Sequence, residues 1–358
     1  MEPLAAHHRH WQGTSFAAVP NINIAGLPGK LGMSSTREIG LFAIVDLVGH
    51  FGHRGVYDLL VQCGDSSRCA VVGVMTVPMS DRSGEPVSWT AQFGQFADDQ
   101  ALAYDRVLVP AVFASLAQRL AAVAVDSSVH SVLDVGTGSG VVARAIAARL
   151  QPGAQIVGVD LSPRFVELAS EHIPPQGVSM RFQIADAVAL PLADAGFDLV
   201  VCQHVLQFVP GLSGAIAEMV RVTAPGGHLW VVVWSELADS PLFAAVADLV
   251  ERTWGSDAHE VFTTPWSLPV ERIAAEMTGA GVKAVIVQRL TVDVEFDSAQ
   301  EAMWVLVLSP VGRRVLGMGQ RERETFAHDF AESIAPWTTT QARVRAPMTA
   351  WVVSGHRG

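Results

Sequence analysis

The amino-acid sequence predicts an α/β fold built on a doubly wound, mostly parallel sheet, and three observations carry that expectation. Val132, Leu133 and Val135 make a short apolar strand that runs directly into the turn Gly136-Thr-Gly-Ser-Gly140. Residues 141–150 follow, with Val142, Ala145, Ile146 and Leu150 at helical spacing. Gln155-Ile-Val-Gly-Val-Asp160 is a second apolar run closed by an acid, and Ser162-Pro163 behind it is a helix start, with serine as N-cap and proline in the first turn. Two more apolar runs, 179–184 and 197–202, continue the alternation of strand and helix that marks a parallel sheet.

The first of these units has the chemistry of a ligand cradle. Gly136, Gly138 and Gly140 remove the Cβ atoms that would keep a ligand from the backbone, and N–H groups at the turn and the helix start are free to bind. Asp134 adds a carboxylate beside the turn, which repels pyrophosphate and suits a cationic ligand. A dinucleotide-binding turn of the G-x-G-x-x-G type also fits a strand–turn–helix unit, but it asks for glycine at position 141, where this chain has Val141. Asp160, at the end of the second strand, can accept hydrogen bonds from both hydroxyls of a ribose and serves either kind of adenosine cofactor.

Asp134-Val-Gly-Thr-Gly-Ser-Gly140 resembles motif I of the class I S-adenosylmethionine-dependent methyltransferases. Three further segments occur in that family's order. Ile184-Ala-Asp186-Ala187, before Leu190-Pro-Leu192, is similar to the segment whose acid takes the adenine amino group; a capping aspartate at a surface turn is the alternative. Gly196-Phe-Asp-Leu-Val-Val-Cys202-Gln-His204 resembles motif IV, and Thr223-Ala-Pro-Gly-Gly227 resembles the entry to strand five at 229–234. The resemblance covers residues 89–358 and is nearest to the type 11, ubiquinone-biosynthesis-like branch. It implies S-adenosyl-L-methionine as cofactor, bound by Asp134, Gly136, Thr137, Gly138, Gly140, Asp160, Leu161, Asp186, Ala187 and Gln203, with Tyr104 from an N-terminal cover helix. It also implies a seven-stranded sheet in which the last strand is antiparallel between the fifth and sixth.

The remaining elements follow from pattern. An amphipathic helix is expected at 107–125, and further helices at 215–222, 241–254 and 270–280. Residues 282–296 and 349–354 are expected as the last two strands. Between them, 298–336 should supply two helices. Met303, Trp304, Leu306, Leu308, Met318, Phe326 and Phe330, with Phe243, Trp254 and Phe262, either line a lid over the acceptor or simply pack as core.

Composition narrows the partners. The 358 residues are 50% hydrophobic, with no run near the roughly 18 apolar residues of a membrane span. A formal charge of −11 argues against nucleic acid as the main partner. Cys63, Cys69 and Cys202 form neither a disulfide framework nor a metal pair, no metal is expected, and no signal peptide opens the chain, so a cytoplasmic protein is the expectation. Residues 1–78 balance five basic against five acidic side chains, hold His7, His8 and His10, and contain apolar runs at 39–48 and 70–77. They read as an extension before a methyltransferase domain at 79–358, divided into cover helices (89–130), cofactor-binding core (131–297), helical lid (298–345) and last strand (346–358).

Together these features predict transfer of a methyl group from S-adenosylmethionine to a small, apolar molecule. A nicotinamide-dependent oxidoreductase and a non-catalytic cofactor-binding protein share the fold. A hydroxyl acceptor needs a base, for which His204 is the candidate and His259 the reserve. A chain beginning at Met79 is expected to keep the melting temperature and cofactor affinity of the full chain. Aggregation of the shortened chain, or loss of binding, would contradict that division.

Overall fold

The computed structural model describes residues 56–64, 68–77 and 98–358. The chain divides into two units at Ser83/Gly84. In the first, β1 (Val56–Gly64) and β2 (Arg68–Val77) form an antiparallel hairpin with a register irregularity at Leu60/Val61. The strand expected at 70–77 therefore starts slightly earlier, at Arg68. The apolar run at 39–48 and His7, His8 and His10 lie outside the described residues.

The second unit is organised by one seven-stranded sheet, and alternating apolar strands explain how it forms. Its strands are β3 (Ser131–Val135), β4 (Gln155–Asp160), β5 (Ser179–Ile184), β6 (Phe197–Gln203), β7 (Thr223–Trp234), β8 (Val282–Phe296) and β9 (Val344–Arg357), in the order β5-β4-β3-β6-β7-β9-β8. The first five are parallel, and β9 pairs antiparallel with both β7 and β8. This is the arrangement expected from the sequence. Because side chains alternate along a strand, each central strand feeds two cores. Leu199, Val201, Val232 and Trp234 face one; Val200, Cys202, Val231 and Val233 face the other.

Several boundaries differ from expectation. The helix after the glycine turn is Val141–Ala147, and the next helix but one is Leu212–Val222 rather than 215–222. β7 begins at Thr223 because the Pro-Gly-Gly bend is absorbed into the strand. Gly226 takes φ 75°, and a Cβ on Gly227 would lie 3.0 Å from the carbonyl oxygens of both Phe197 and Asp198. Residues 298–336 yield four helices, not two: Ala299–Ala302, Trp304–Val307, Gly312–Gly317 and Gln320–Ser333. Gly312 allows the tight contact between two of them, since a Cβ there would lie 1.9 Å from the Val307 carbonyl. Leu306, Leu308, Met318, Phe326 and Phe330, with Phe243 and Phe262, are buried in one core cluster, so these side chains pack as core. Met303, Trp304 and Trp254 are partly buried against it.

The N-terminal cover is one helical run, Asp98–Ala103, Tyr104–Phe113 and Ala114–Ala124, that widens to π geometry in its middle part. Pro110 sits in that part and has no N–H to continue an α-helical ladder, which accounts for the widening. The span Gln100–Ala124, 25 residues containing an 18-residue window with a mean hydropathy of 1.7, is long and apolar enough to cross a membrane. Leu116, Ala117, Leu120 and Ala121 on it are fully buried in the core, which supplies a packing reason for the composition.

One side chain ties the sheet together where β3 and β6 begin. Asp198 Oδ2 accepts from His130 N (3.0 Å), Ser131 N (2.9 Å) and Ser131 Oγ (2.8 Å), and these bonds hold its carboxyl below the usual range against partial burial. Asp198→Ala leaves three donors without their acceptor and is expected to cost about 2 kcal/mol of unfolding free energy, as measured by urea denaturation. A change within about 0.5 kcal/mol would contradict this role.

Candidate active site

The strand order reverses between β3 and β6, so the loops that follow these neighbours leave the sheet on opposite sides and open a crevice at its carboxyl edge. After β3, Gly136, Gly138 and Gly140 all take positive φ (69°, 55° and 87°). A Cβ on Gly136 would lie 2.2 Å from Val205 Cγ2, whereas one on Gly138 would meet nothing within 4 Å, so that glycine leaves open space above the turn. Gly136 N and Thr137 N both donate to the Val159 carbonyl (2.8 and 2.9 Å), which fastens the turn to β4.

Two carboxylates complete the turn. Asp134 is 1% exposed, and its Oδ2 accepts from Thr137 Oγ1 (2.7 Å) and from Ala143 N (3.1 Å), one of the free N–H groups at the helix start. Burial pushes its pKa up to about 7, against the lowering effect of those two hydrogen bonds. Asp134 thus sits beneath the turn, with its Oδ2 engaged by the chain itself. Asp160 Oδ2 accepts from Gly138 N (2.8 Å) and Oδ1 from Ser162 N (2.9 Å); burial raises its pKa while these bonds lower it. Asp160 is only partly buried, and each oxygen keeps a further lone pair for a ligand hydroxyl. Ser162 caps the next helix as expected, accepting from Phe165 N (3.4 Å).

The other expected contacts divide. Tyr104 packs its ring between Phe113 (5.6 Å between centroids) and Phe165 (5.0 Å), and burial together with nearby Asp160 and Asp105 pushes its phenol pKa up. It thus belongs to the crevice wall beside Asp160. Asp186 is exposed, and its Oδ1 accepts from Val188 N (3.1 Å), closing its own turn; Ala187 is half-buried behind it, and Leu161 is 53% exposed. His259, half-buried on the helix Ser256–Thr263, makes no ring contact or hydrogen bond with Gln203, His204 or the glycine turn.

Gln203 and His204 occupy the carboxyl end of β6. The strand runs through Gln203, and strict alternation would send His204 to the opposite face. Instead, His204 takes φ 57°, a conformation that costs a non-glycine residue about 1 kcal/mol, while its N–H donates to the Val232 carbonyl (2.8 Å). This turn brings its imidazole onto the Gln203 side of the sheet, stacked on Trp234 at 3.4 Å and 16°, with Phe113 at 5.9 Å. Both residues are 8% exposed, yet Gln203 Oε1 and both imidazole nitrogens have no hydrogen-bond partner. Burial holds the His204 pKa well below the usual histidine range.

The site also contains residues that the sequence reading passed over. Ser139 Oγ and Asp105 Oδ1 are buried without partners near the turn, and Arg144 donates to the Ser139 carbonyl. Ser139 lies within the glycine motif and Asp105 beside Tyr104, so both were within reach of sequence. Trp234 and Phe113 carry no motif; only packing shows that they wall the crevice.

The raised pKa of Asp134 has a definite consequence for stability. A carboxyl with a higher pKa in the folded state binds its proton more tightly there, so its contribution is present below the unfolded value near 4 and is lost as pH rises to about 7. At about 1.4 kcal/mol per pKa unit, the loss reaches about 4 kcal/mol. Asp134→Asn keeps an acceptor for Thr137 and Ala143 and removes this titration. Urea unfolding at a series of pH values should therefore show a clearly flatter profile for the variant than for the parent between pH 4 and pH 7.

A family model described as a methyltransferase domain matches residues 133–231, which run from β3 into β7. An uncharacterized protein of Mycobacterium tuberculosis is 32% identical over 161 residues, 45% of this chain and 56% of that protein. The chain thus spans little more than half the length of this relative. The demethylmenaquinone methyltransferase of Deinococcus radiodurans is 34% identical over 169 residues, 47% of this chain and 69% of that protein. The solved structure of the YcgJ protein from Bacillus subtilis aligns with a TM-score of 0.45 at 20% identity, covering 68% of this chain and 98% of that one. The chain belongs to the family of S-adenosylmethionine-dependent methyltransferases.

Proposed function

We propose that residues 79–358 transfer a methyl group from S-adenosylmethionine to a small molecule that meets the crevice with an apolar face. The observation that carries this reading is the set of unpartnered polar atoms, Gln203 Oε1 and both nitrogens of His204, on one aromatic-walled face beside the glycine turn. Buried polar groups are normally hydrogen-bonded, so such a set asks for a ligand. The residues present fit the cofactor. Gly138 leaves open space above the turn, Asp160 offers lone pairs to ribose hydroxyls, and Ser139 Oγ and Gln203 Oε1 are free to bond its polar atoms. S-adenosylmethionine, when bound, supplies a methyl group on a cationic sulfur.

What the chain itself contributes is orientation and dryness. Phe113, Trp234 and the His204 ring form an apolar wall that excludes water from the transfer site. His204, uncharged across the physiological range, presents a nitrogen lone pair to a proton-bearing group of the acceptor. Because forming an imidazolium in this enclosure is unfavourable, we assign His204 mainly to orienting the acceptor rather than to holding its proton.

Titration calorimetry separates the cofactor question from the acceptor question. S-adenosylmethionine or its demethylated product should bind in the micromolar range, about −8 kcal/mol. Asp160→Ala should weaken binding by about 1.5–3 kcal/mol. Tight binding of NADH with none of S-adenosylmethionine would end the reading. With an acceptor in hand, His204→Ala should lower turnover by about 10²-fold or more with cofactor affinity nearly unchanged. The orienting role predicts that His204→Gln, which still hydrogen-bonds, recovers most of that loss. It also predicts that the parent rate stays level as pH falls through the usual histidine range. A glutamine variant as slow as the alanine variant, with a rate that falls near pH 6.5, would make His204 the base instead.

A further inference from the structure

Beyond the His204–Trp234 stack, the carboxyl end of β7 opens onto a cavity of about 200 Å³. It is bounded by Ser235 and Glu236 after β7, by the segment from Trp266 to Glu271, and by Trp351 of β9. Trp266 is braced by Phe243 (5.3 Å between centroids) and Phe262 (6.1 Å), and its turn, Thr264–Trp266, packs on the turn Leu206–Phe208 that follows His204. The cavity therefore lies beside the acceptor side of the crevice and shares Trp234 with it. Its Trp266 indole N–H is buried and has no partner.

The charge of this cavity is one-sided. Glu236 and Glu271 line it, and no lysine, arginine or histidine does. Among the described residues, no cation lies within ion-pair distance of either glutamate. Arg289 lies by Trp351, its guanidinium 5.1 Å from the centroid of that ring, and its charge is matched by an ion pair with Asp239. The carboxyl of Asp239 is also hydrogen-bonded to that of Glu236.

Indole walls with two exposed carboxylates at the rim and no lining cation select a particular chemistry. An anionic ligand would meet a single N–H donor and two like charges. A neutral apolar ligand would fill the space and leave the carboxylates unanswered. An alkylammonium group satisfies both features, because its diffuse positive charge is attracted to indole faces and to carboxylates while its methyl or methylene surface packs on the rings. The indole N–H of Trp266 remains available for an oxygen on the same molecule.

We propose that this cavity binds a small molecule through an alkylammonium group, and that the methyl acceptor carries such a group at the end lying away from His204. As a binding site the cavity stands by itself; only its link to the acceptor rests on the methyl-transfer reading above. The probes are choline and its uncharged isostere 3,3-dimethylbutan-1-ol, titrated into the full chain while the indole N–H resonances are followed by NMR. The Trp266 resonance is identified by Trp266→Phe. Choline should shift it saturably and bind about 10-fold more tightly than the alcohol, the scale of a partly desolvated cation–π contact. The double variant Glu236→Gln/Glu271→Gln should lose most of that advantage while its affinities for the alcohol and for S-adenosylmethionine stay unchanged. Trp351→Leu should weaken both probes.

Equal binding of choline and the alcohol, or no shift with choline, overturns the proposal even if the variants fail to fold. So does a folded double variant that binds choline as well as the parent does. Choline binding without S-adenosylmethionine binding leaves the cavity standing and removes the methyl-transfer reading. The reverse result removes the cavity proposal alone.

Discussion

The site depends on two carboxylates placed under and beside one glycine turn. Asp134 and Asp160 together accept from Thr137 Oγ1 and from the backbone N–H groups of Gly138, Ala143 and Ser162. These bonds fix the end of β3, the start of the helix Val141–Ala147, the turn between them and the exit from β4. Hydrogen bonds from backbone N–H to a buried carboxylate are strong because the surroundings cannot screen them. The same surroundings raise the pKa of both acids, so the turn is held by groups whose charge is costly there. A binding turn with φ above zero at three glycines would otherwise have little to keep it in one shape.

The second constraint is steric. Sheet alternation assigns adjacent residues to opposite faces, and a crevice that needs two neighbouring polar side chains must break the rule. The chain breaks it at His204, where the left-handed backbone turns the ring back onto Trp234. The local strain is offset by the stack and by the bond from His204 N to Val232. What results is a neutral imidazole among aromatic rings, suited to hydrogen bonding and poorly suited to carrying charge.

The helical additions show how one composition can serve two purposes. The apolar side chains between β8 and β9 have the character of a lid over a hydrophobic acceptor, and most are buried in the same cluster as the face of β7 that bears Trp234. A side chain that fills the core cannot also move aside for a ligand without leaving a cavity. The polar gap in this apolar surround lies elsewhere, at the edge of β7 where Glu236 and Glu271 share a cavity with three indoles.

Much of this protein was legible in its sequence. Apolar period, glycine spacing and the Ser162-Pro163 helix start are local signals, and from them and the family resemblance the sheet, its strand order and the places of Asp134 and Asp160 followed. The extents of β8 and of the helix Pro241–Trp254 matched residue for residue. Sequence left open whether Asp186 closes its own turn and whether the side chains between β8 and β9 pack as core, and it did not reveal how deeply Asp134 is buried or that the last of these segments makes four helices. It also did not show that His204 lies on the same face as Gln203 with its pKa depressed. Each of these depends on what surrounds a side chain in three dimensions: how much water is excluded, which N–H groups point at it, and which ring lies against it. Those neighbours come from positions far apart in the chain. Local pattern therefore determined which residues stand at the crevice, and only tertiary packing decided which of them can reach a ligand and in what state of charge.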